Sequence, residues 1–159
     1  MDFTGKVVAI TGAAGGIGQA LTRAFVGMGA KVGALDRVEA VKDFARDLAR
    51  EGATIEPALA DIGDEAAVAK AFAAVVDALG PVDVLVNNAG ISRAANLKQT
   101  NGESFRKDVE DNLNGAYYCS IAVLPGMLAK GGGAIVNISS VNGLSTFGDP
   151  AYSAGKAGM

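Results

Sequence analysis

The chain has 159 residues, 50% of them hydrophobic, with 14 Lys and Arg against 17 Asp and Glu. That composition describes one globular domain with a full core, and a net charge of -3 without any basic cluster excludes nucleic acid as a partner. No apolar run approaches the ~20 residues of a membrane span, the five residues before the first strand leave no room for a signal peptide, and the single Cys119 fits a reducing, cytoplasmic compartment.

An apolar run at 6–10 predicts a buried strand, followed by Thr11-Gly12-Ala13-Ala14-Gly15-Gly16-Ile17-Gly18 and then by helical spacing to about Met28. Glycines let such a turn tighten and let its backbone approach a ligand. The N–H groups and positive dipole end of the helix behind it favour a phosphate. Gly12, Gly16 and Gly18 fit G-x-x-x-G-x-G rather than the commoner G-x-G-x-x-G. No P-loop lysine follows, which disfavours a nucleoside triphosphate.

A second strand is expected at 31–35 with Asp36 directly after it. An acidic side chain there can accept both ribose hydroxyls of an adenosine and would repel a 2′-phosphate, favouring NAD over NADP. Arg37 next door could meet that same phosphate, and an N-cap is the plainer reading of Asp36. An amphipathic helix at 38–51 closes on Gly52. A third strand at 54–60 carries Pro57, which suits a sheet edge. Asp61-Ile62 precede an Ala-rich helix at 65–79, and 82–86 is a short apolar strand. Strands alternating with helices predict an α/β fold, a doubly wound parallel sheet of the Rossmann type with ligands beyond the carboxyl ends of its strands.

Asn87-Asn88-Ala89-Gly90 stands at the next such end, where two amides and two small residues let the backbone pass a planar ligand. The segment 91–102 reads as a polar loop and 103–130 as one long helix. Asn112 and Gly115 are unfavourable in mid-helix, and Pro125 should kink or end it. Gly131-Gly132-Gly133 close the helix, 134–138 is a fifth buried strand, and Ser139-Ser140 stand at its end. With no histidine in the chain, metal chemistry is not expected, and acid–base work falls to Tyr, Lys, Asp, Glu or Cys. Pro150 opens a last helix in which Tyr152 and Lys156, four apart, share a face. A phenol titrates near 10, and a neighbouring ammonium stabilises its anion.

Taken together and in order, the glycine turn at 11–18, Asp61, Asn-Asn-Ala-Gly at 87–90, Asn112, Ser140 and the Tyr152/Lys156 pair resemble the short-chain dehydrogenase/reductase family in its compact branch. Gly12, Gly15 and Gly18 also fit the longer, epimerase-like branch; Asn-Asn-Ala-Gly argues for the compact one. The resemblance implies hydride transfer between NAD(P) and an alcohol/carbonyl pair. Tyr152 would be the general acid/base, Ser140 (Ser139 being its rival) would hold the substrate oxygen, and Lys156 would tune Tyr152 and bind the nicotinamide ribose. Asn112 would position a relay water. Gly12, Gly15, Gly16, Ile17, Gly18, Asp36, Arg37, Asp61, Ile62, Asn88, Ala89 and Gly90 would line the cofactor groove with Tyr152 and Lys156.

The resemblance further implies a homodimer or homotetramer at full length, and a small-molecule alcohol or ketone as substrate, contacted by 91–100 and 141–149. Where the family continues, this chain stops at Met159. The C-terminal strands are expected to be missing from a truncated 1–159 Rossmann domain, which leaves the fifth strand as an exposed edge. The competing reading is a non-catalytic nucleotide-binding or sensing domain, which has no need of Asn112, Ser140, Tyr152 and Lys156.

Overall fold

Five strands lie side by side in the order β3-β2-β1-β4-β5 and all pair in parallel. The structure is a computed structural model and describes residues 1–145 and 148–159. The strands are β1 (Val7–Thr11), β2 (Lys31–Asp36), β3 (Ile55–Leu59), β4 (Val84–Asn87) and β5 (Ala134–Asn137). Between them run α1 (Gly16–Gly27), α2 (Ala40–Arg50), α3 (Glu65–Leu79), α4 (Gly102–Val109) and α5 (Gly115–Ala129), with α6 (Pro150–Gly158) last. This is the doubly wound Rossmann arrangement that the alternation predicts.

β1 is central, and each of its five residues is buried, as expected of a strand covered on both faces. One core joins β1, β2 and β4 to α3 and α5 through Leu35, Phe72, Val75, Leu85 and Val123. The opposite face packs Val8, Ile10 and Val32 against Leu21, Phe25 and Val26 of α1. The contact of β2 with α3 is tight: a Cβ on Gly33 would lie 2.6 Å from Val75 Cγ1.

Pro57 does lie on an edge strand, β3. Asp36 belongs to β2, as its last residue, rather than following it. The strand expected at 82–86 begins at Val84, because Asp83 is spent on the loop. Its carboxylate accepts from the Val7 N–H at 2.8 Å and pairs with Lys130 Nζ at 2.8 Å. Lys130 Nζ also donates to the Pro81 and Val82 carbonyls, tying the end of α5 to the entry of β4.

The helix expected at 103–130 is present as one unbroken helical run, in which α4 passes through a π turn, Glu110–Asn114, into α5. Of the two outcomes expected of Pro125, a kink or an end, it does not end α5, which runs on to Ala129. Pro125 and Ile121, whose carbonyl loses its amide partner, both lie on the exposed face, so solvent can replace the missing bond. β5 is exposed along all four residues, not the buried strand its apolar run suggests but the exposed edge expected where the C-terminal strands are missing; it is the outer strand of the sheet, and among the described residues nothing pairs with its far edge.

Candidate active site

The strand order reverses between β1 and β4, and a crevice opens there beyond their carboxyl ends, as such sheets require. A cleft of about 330 Å³ occupies this crevice, lined by Gly12, Gly15, Gly16, Ile17 and Gly18 from the turn after β1. Asp36 and Arg37 line it at the end of β2, Asp61 and Ile62 after β3, and Asn88, Ala89 and Gly90 after β4. The residues proposed for the groove thus meet around one cavity, apart from Tyr152 and Lys156, which lie outside its lining.

Gly12 has φ of 67°, in the region that favours glycine, and a Cβ there would stand 2.9 Å from Ala89 Cα. The turn is pinned to the β4 loop from both sides. Asn88 donates its amide to the Thr11 carbonyl at 2.9 Å, and Thr11 Oγ1 accepts the Asn88 and Ala89 N–H groups at 3.1 and 3.0 Å. Helix α1 starts at the cleft with Gly15 as its N-cap, no capping side chain and no acidic residue in its first turn. Unsatisfied N–H groups and the dipole end therefore face the cavity, the chemistry that holds a pyrophosphate. The residues present fit a dinucleotide.

Asp36 accepts from the Ala14 N–H at 2.9 Å and the Val38 N–H at 3.3 Å. A carboxylate has about four acceptor positions, so capacity for ribose hydroxyls is left. Arg37 is exposed beside it. For Asp61, burial works to raise its carboxyl, but the Gly63 N–H and the Lys107 ammonium outweigh that and hold it below the usual range. Three lining residues had not been expected there, Ala60, Ile91 and Asp111. Asp111 is buried and pairs with Lys107 Nζ at 2.9 Å. Its one sequence signal is a carboxylate directly before the anomalous Asn112.

At the inner end, helix α6 carries Tyr152 and Lys156. Lys156 is buried, donates Nζ to the Ile138 carbonyl at 2.8 Å and stands over the Tyr152 ring, 5.7 Å from its centroid. Burial pushes its ammonium below the ordinary lysine value. A Cβ on Gly90 would meet Asn112 Oδ1 at 2.7 Å and Lys156 Nζ at 3.0 Å. Gly90, which lines the cleft, thus lies against Lys156 of the Tyr152/Lys156 helix.

Asn112 is fully buried in the π turn. Its side chain donates to the Ile91 and Asp108 carbonyls at 2.6 and 2.8 Å and accepts the Ile91 N–H at 3.2 Å. The amide is therefore committed to holding the loop after β4. Ser139 donates to the Lys156 carbonyl at 2.9 Å, whereas Ser140 Oγ accepts from the Asn142 N–H at 3.2 Å. Cys119 is removed from acid–base work, since burial pushes its thiol up to about 12. Of the segment 141–149, Thr146 and Phe147 lie outside the described residues.

The family model for short chain dehydrogenases matches residues 6–159. An uncharacterised oxidoreductase of Schizosaccharomyces pombe is 42% identical over 160 residues, covering 100% of this chain and 59% of that protein. The crystal structure of gox2181 superposes with a TM-score of 0.94 at 32% identity, covering 99% of this chain and 63% of the other. A variant of actinorhodin polyketide ketoreductase with NADPH superposes at 0.90 with 34% identity, covering 96% and 60%. The chain belongs to the short-chain dehydrogenase/reductase family, whose members are pyridine-nucleotide-dependent oxidoreductases. It spans about 60% of the length of these relatives.

Proposed function

We propose that the protein transfers a hydride between NAD and an alcohol/carbonyl pair, with Tyr152 as general acid/base. The observation that carries this reading is the buried Lys156 ammonium, which stands over the Tyr152 ring and beside Gly90 at the inner end of the dinucleotide cleft. A bound nicotinamide supplies or accepts the hydride; the remaining work falls to side chains of this chain. In reduction Tyr152 gives its phenolic proton to the carbonyl oxygen, and in oxidation it takes the proton from the alcohol. Ser140 holds that oxygen, since Ser139 is spent on the Lys156 carbonyl.

Lys156 stabilises the phenolate electrostatically, and its lowered ammonium suits the passage of a proton back to Tyr152. The Asn112 side chain is occupied by the loop, so the relay water would rest on a backbone carbonyl of the π turn, where the regular ladder is interrupted. Asp36 at the ribose position favours NAD, with Arg37 as the group that would serve NADP. The stripe Tyr117, Ile121, Leu124 and Leu128, exposed on α5, supports burial against a second copy of the chain.

The test is isotopic. The protein is incubated with NADH deuterated at the transferable position and with ketones drawn from sugars, acyl thioesters, steroids and simple aliphatics. Deuterium on the carbinol carbon of at least one product is the expected result. Binding of NADH with no deuterium passed to any ketone would leave a nucleotide-binding domain without catalysis.

A further inference from the structure

A buried carboxyl cluster borders the cleft, which Asp111 lines, where the loop 91–94, the π turn and α6 meet. Asp149 is 3% exposed and Asp108 is 0% exposed. Asp149 caps α6 by accepting the Ala151 N–H at 2.9 Å on one oxygen. Its other oxygen accepts the Ser92 hydroxyl at 2.9 Å and the Ala94 N–H at 3.3 Å. A helix cap alone needs only the first of these contacts.

The loop that Asp149 grips is fastened on its other side as well. Arg93 pairs with Asp108 through one guanidinium nitrogen and with Asp111 through the other, and its N–H donates to Asp108 at 3.1 Å. Asn112 holds the Ile91 N–H and carbonyl. Burial, together with a hydrogen bond to Asp149, raises the Asp108 carboxyl. Burial also works to raise Asp149, but the bonds from Asp108, Ser92, Ala94 and Ala151 prevail and hold it below the usual range.

Helix α6 is nine residues long, and hydrogen bonds tie it along its length. Toward its far end, Lys156 Nζ reaches the Ile138 carbonyl and Ser139 bonds the Lys156 carbonyl; in its middle the Asn142 amide meets Ser153 Oγ at 3.5 Å. At its start the tie is Asp149, three residues before Tyr152. Without it the end that carries Tyr152 is held less closely, and a displacement of ~1 Å at a reacting group costs on the order of 10²-fold in rate.

We propose that Asp149 is a positioning residue: through Ser92 and Ala94 it sets where Tyr152 and Lys156 stand at the nicotinamide end of the cleft. The proposal rests on the dinucleotide reading above. Two variants separate positioning from capping. Asp149→Ser keeps a cap for the Ala151 N–H and is too short to reach Ser92 and Ala94. Asp149→Asn keeps both cap and size but loses one of the two acceptor atoms.

Each variant is compared with wild type by calorimetry with ADP-ribose, which reports the adenosine and pyrophosphate end. NADH emission on binding reports the nicotinamide surroundings. The expected result is unchanged ADP-ribose affinity with loss of the NADH emission change in both variants. Wild-type emission in both variants would make Asp149 a helix cap and overturn the proposal. Parallel loss of ADP-ribose and NADH binding would mark a general structural role and overturn it too. Wild-type protein that binds neither ligand would instead sink the dinucleotide reading, and the proposal with it.

Discussion

Tyr152→Phe is expected to lower turnover by ~10²–10⁴-fold and to leave NADH affinity unchanged. The substitution removes one oxygen and keeps the ring over which Lys156 stands, so the buried ammonium and its bond to the Ile138 carbonyl stay in place. The carbonyl oxygen then has no phenolic proton donor, and Lys156, behind the ring at 5.7 Å from its centroid, does not take its place. A loss in kcat with little change in the KM for NADH is the signature of a group acting in the transition state only. Steady-state kinetics on a ketone identified by deuterium transfer measures it. A variant retaining near-wild-type kcat would move the general acid elsewhere.

The second large effect belongs to Gly18→Ala. A Cβ at Gly18 would stand 2.0 Å from the Gly12 carbonyl oxygen and 2.7 Å from Ala13 Cα. Both atoms are backbone, so no side chain can swing aside; the turn itself must open. Overpacking of this kind costs about 1–3 kcal/mol or more, and at this chain length each kcal/mol lowers Tm by ~2–4 °C. The opened turn also carries the first N–H groups of α1 away from the cleft, so NADH affinity falls by roughly tenfold or more. Gly16→Ala is the control for stability, because nothing lies within 4 Å of its added Cβ. Thermal melts should therefore separate the two alanines. Equal Tm values would mean that the turn is not the constrained element described above.

How much of this was legible in the sequence depends on whether the signal is local. The strand–glycine turn–helix at 6–28 is local, and so is the placing of Asp36, Asp61 and Asn87-Asn88 at or just beyond the ends of β2, β3 and β4. Parallel topology then carries those ends to one edge of the sheet without any knowledge of side-chain contacts. Asn112 was legible as an anomaly, though not as a π turn, because the sequence does not reveal which hydrogen bonds a helix gives up. Pro125 does not end its helix because the carbonyl it frees, that of Ile121, lies on the exposed face.

The cluster of Arg93, Asp108, Asp111 and Asp149 was not legible. Its members lie in a loop, on two helical turns and before a third helix, as much as 56 residues apart in sequence by their numbering, and each taken singly reads as a solvated charge. Asp149-Pro150 did carry a signal for a helix start, an Asp N-cap before a proline at N1. The pairing with Ser92 needed the fold. β5 is the exposed edge that missing C-terminal strands lead one to expect; its apolar composition, which reads as buried, says what could cover it, not what does.

The account stands or falls on whether the cleft takes a dinucleotide and which one it takes. Calorimetric titration of the protein with NAD⁺ and, separately, NADP⁺ answers both questions. Saturable binding with NAD⁺ the tighter ligand is the expected result, with Asp36 accepting the ribose hydroxyls. Tighter binding of NADP⁺ would transfer the selection to Arg37. Absence of binding for both would contradict the assignment of the cleft itself.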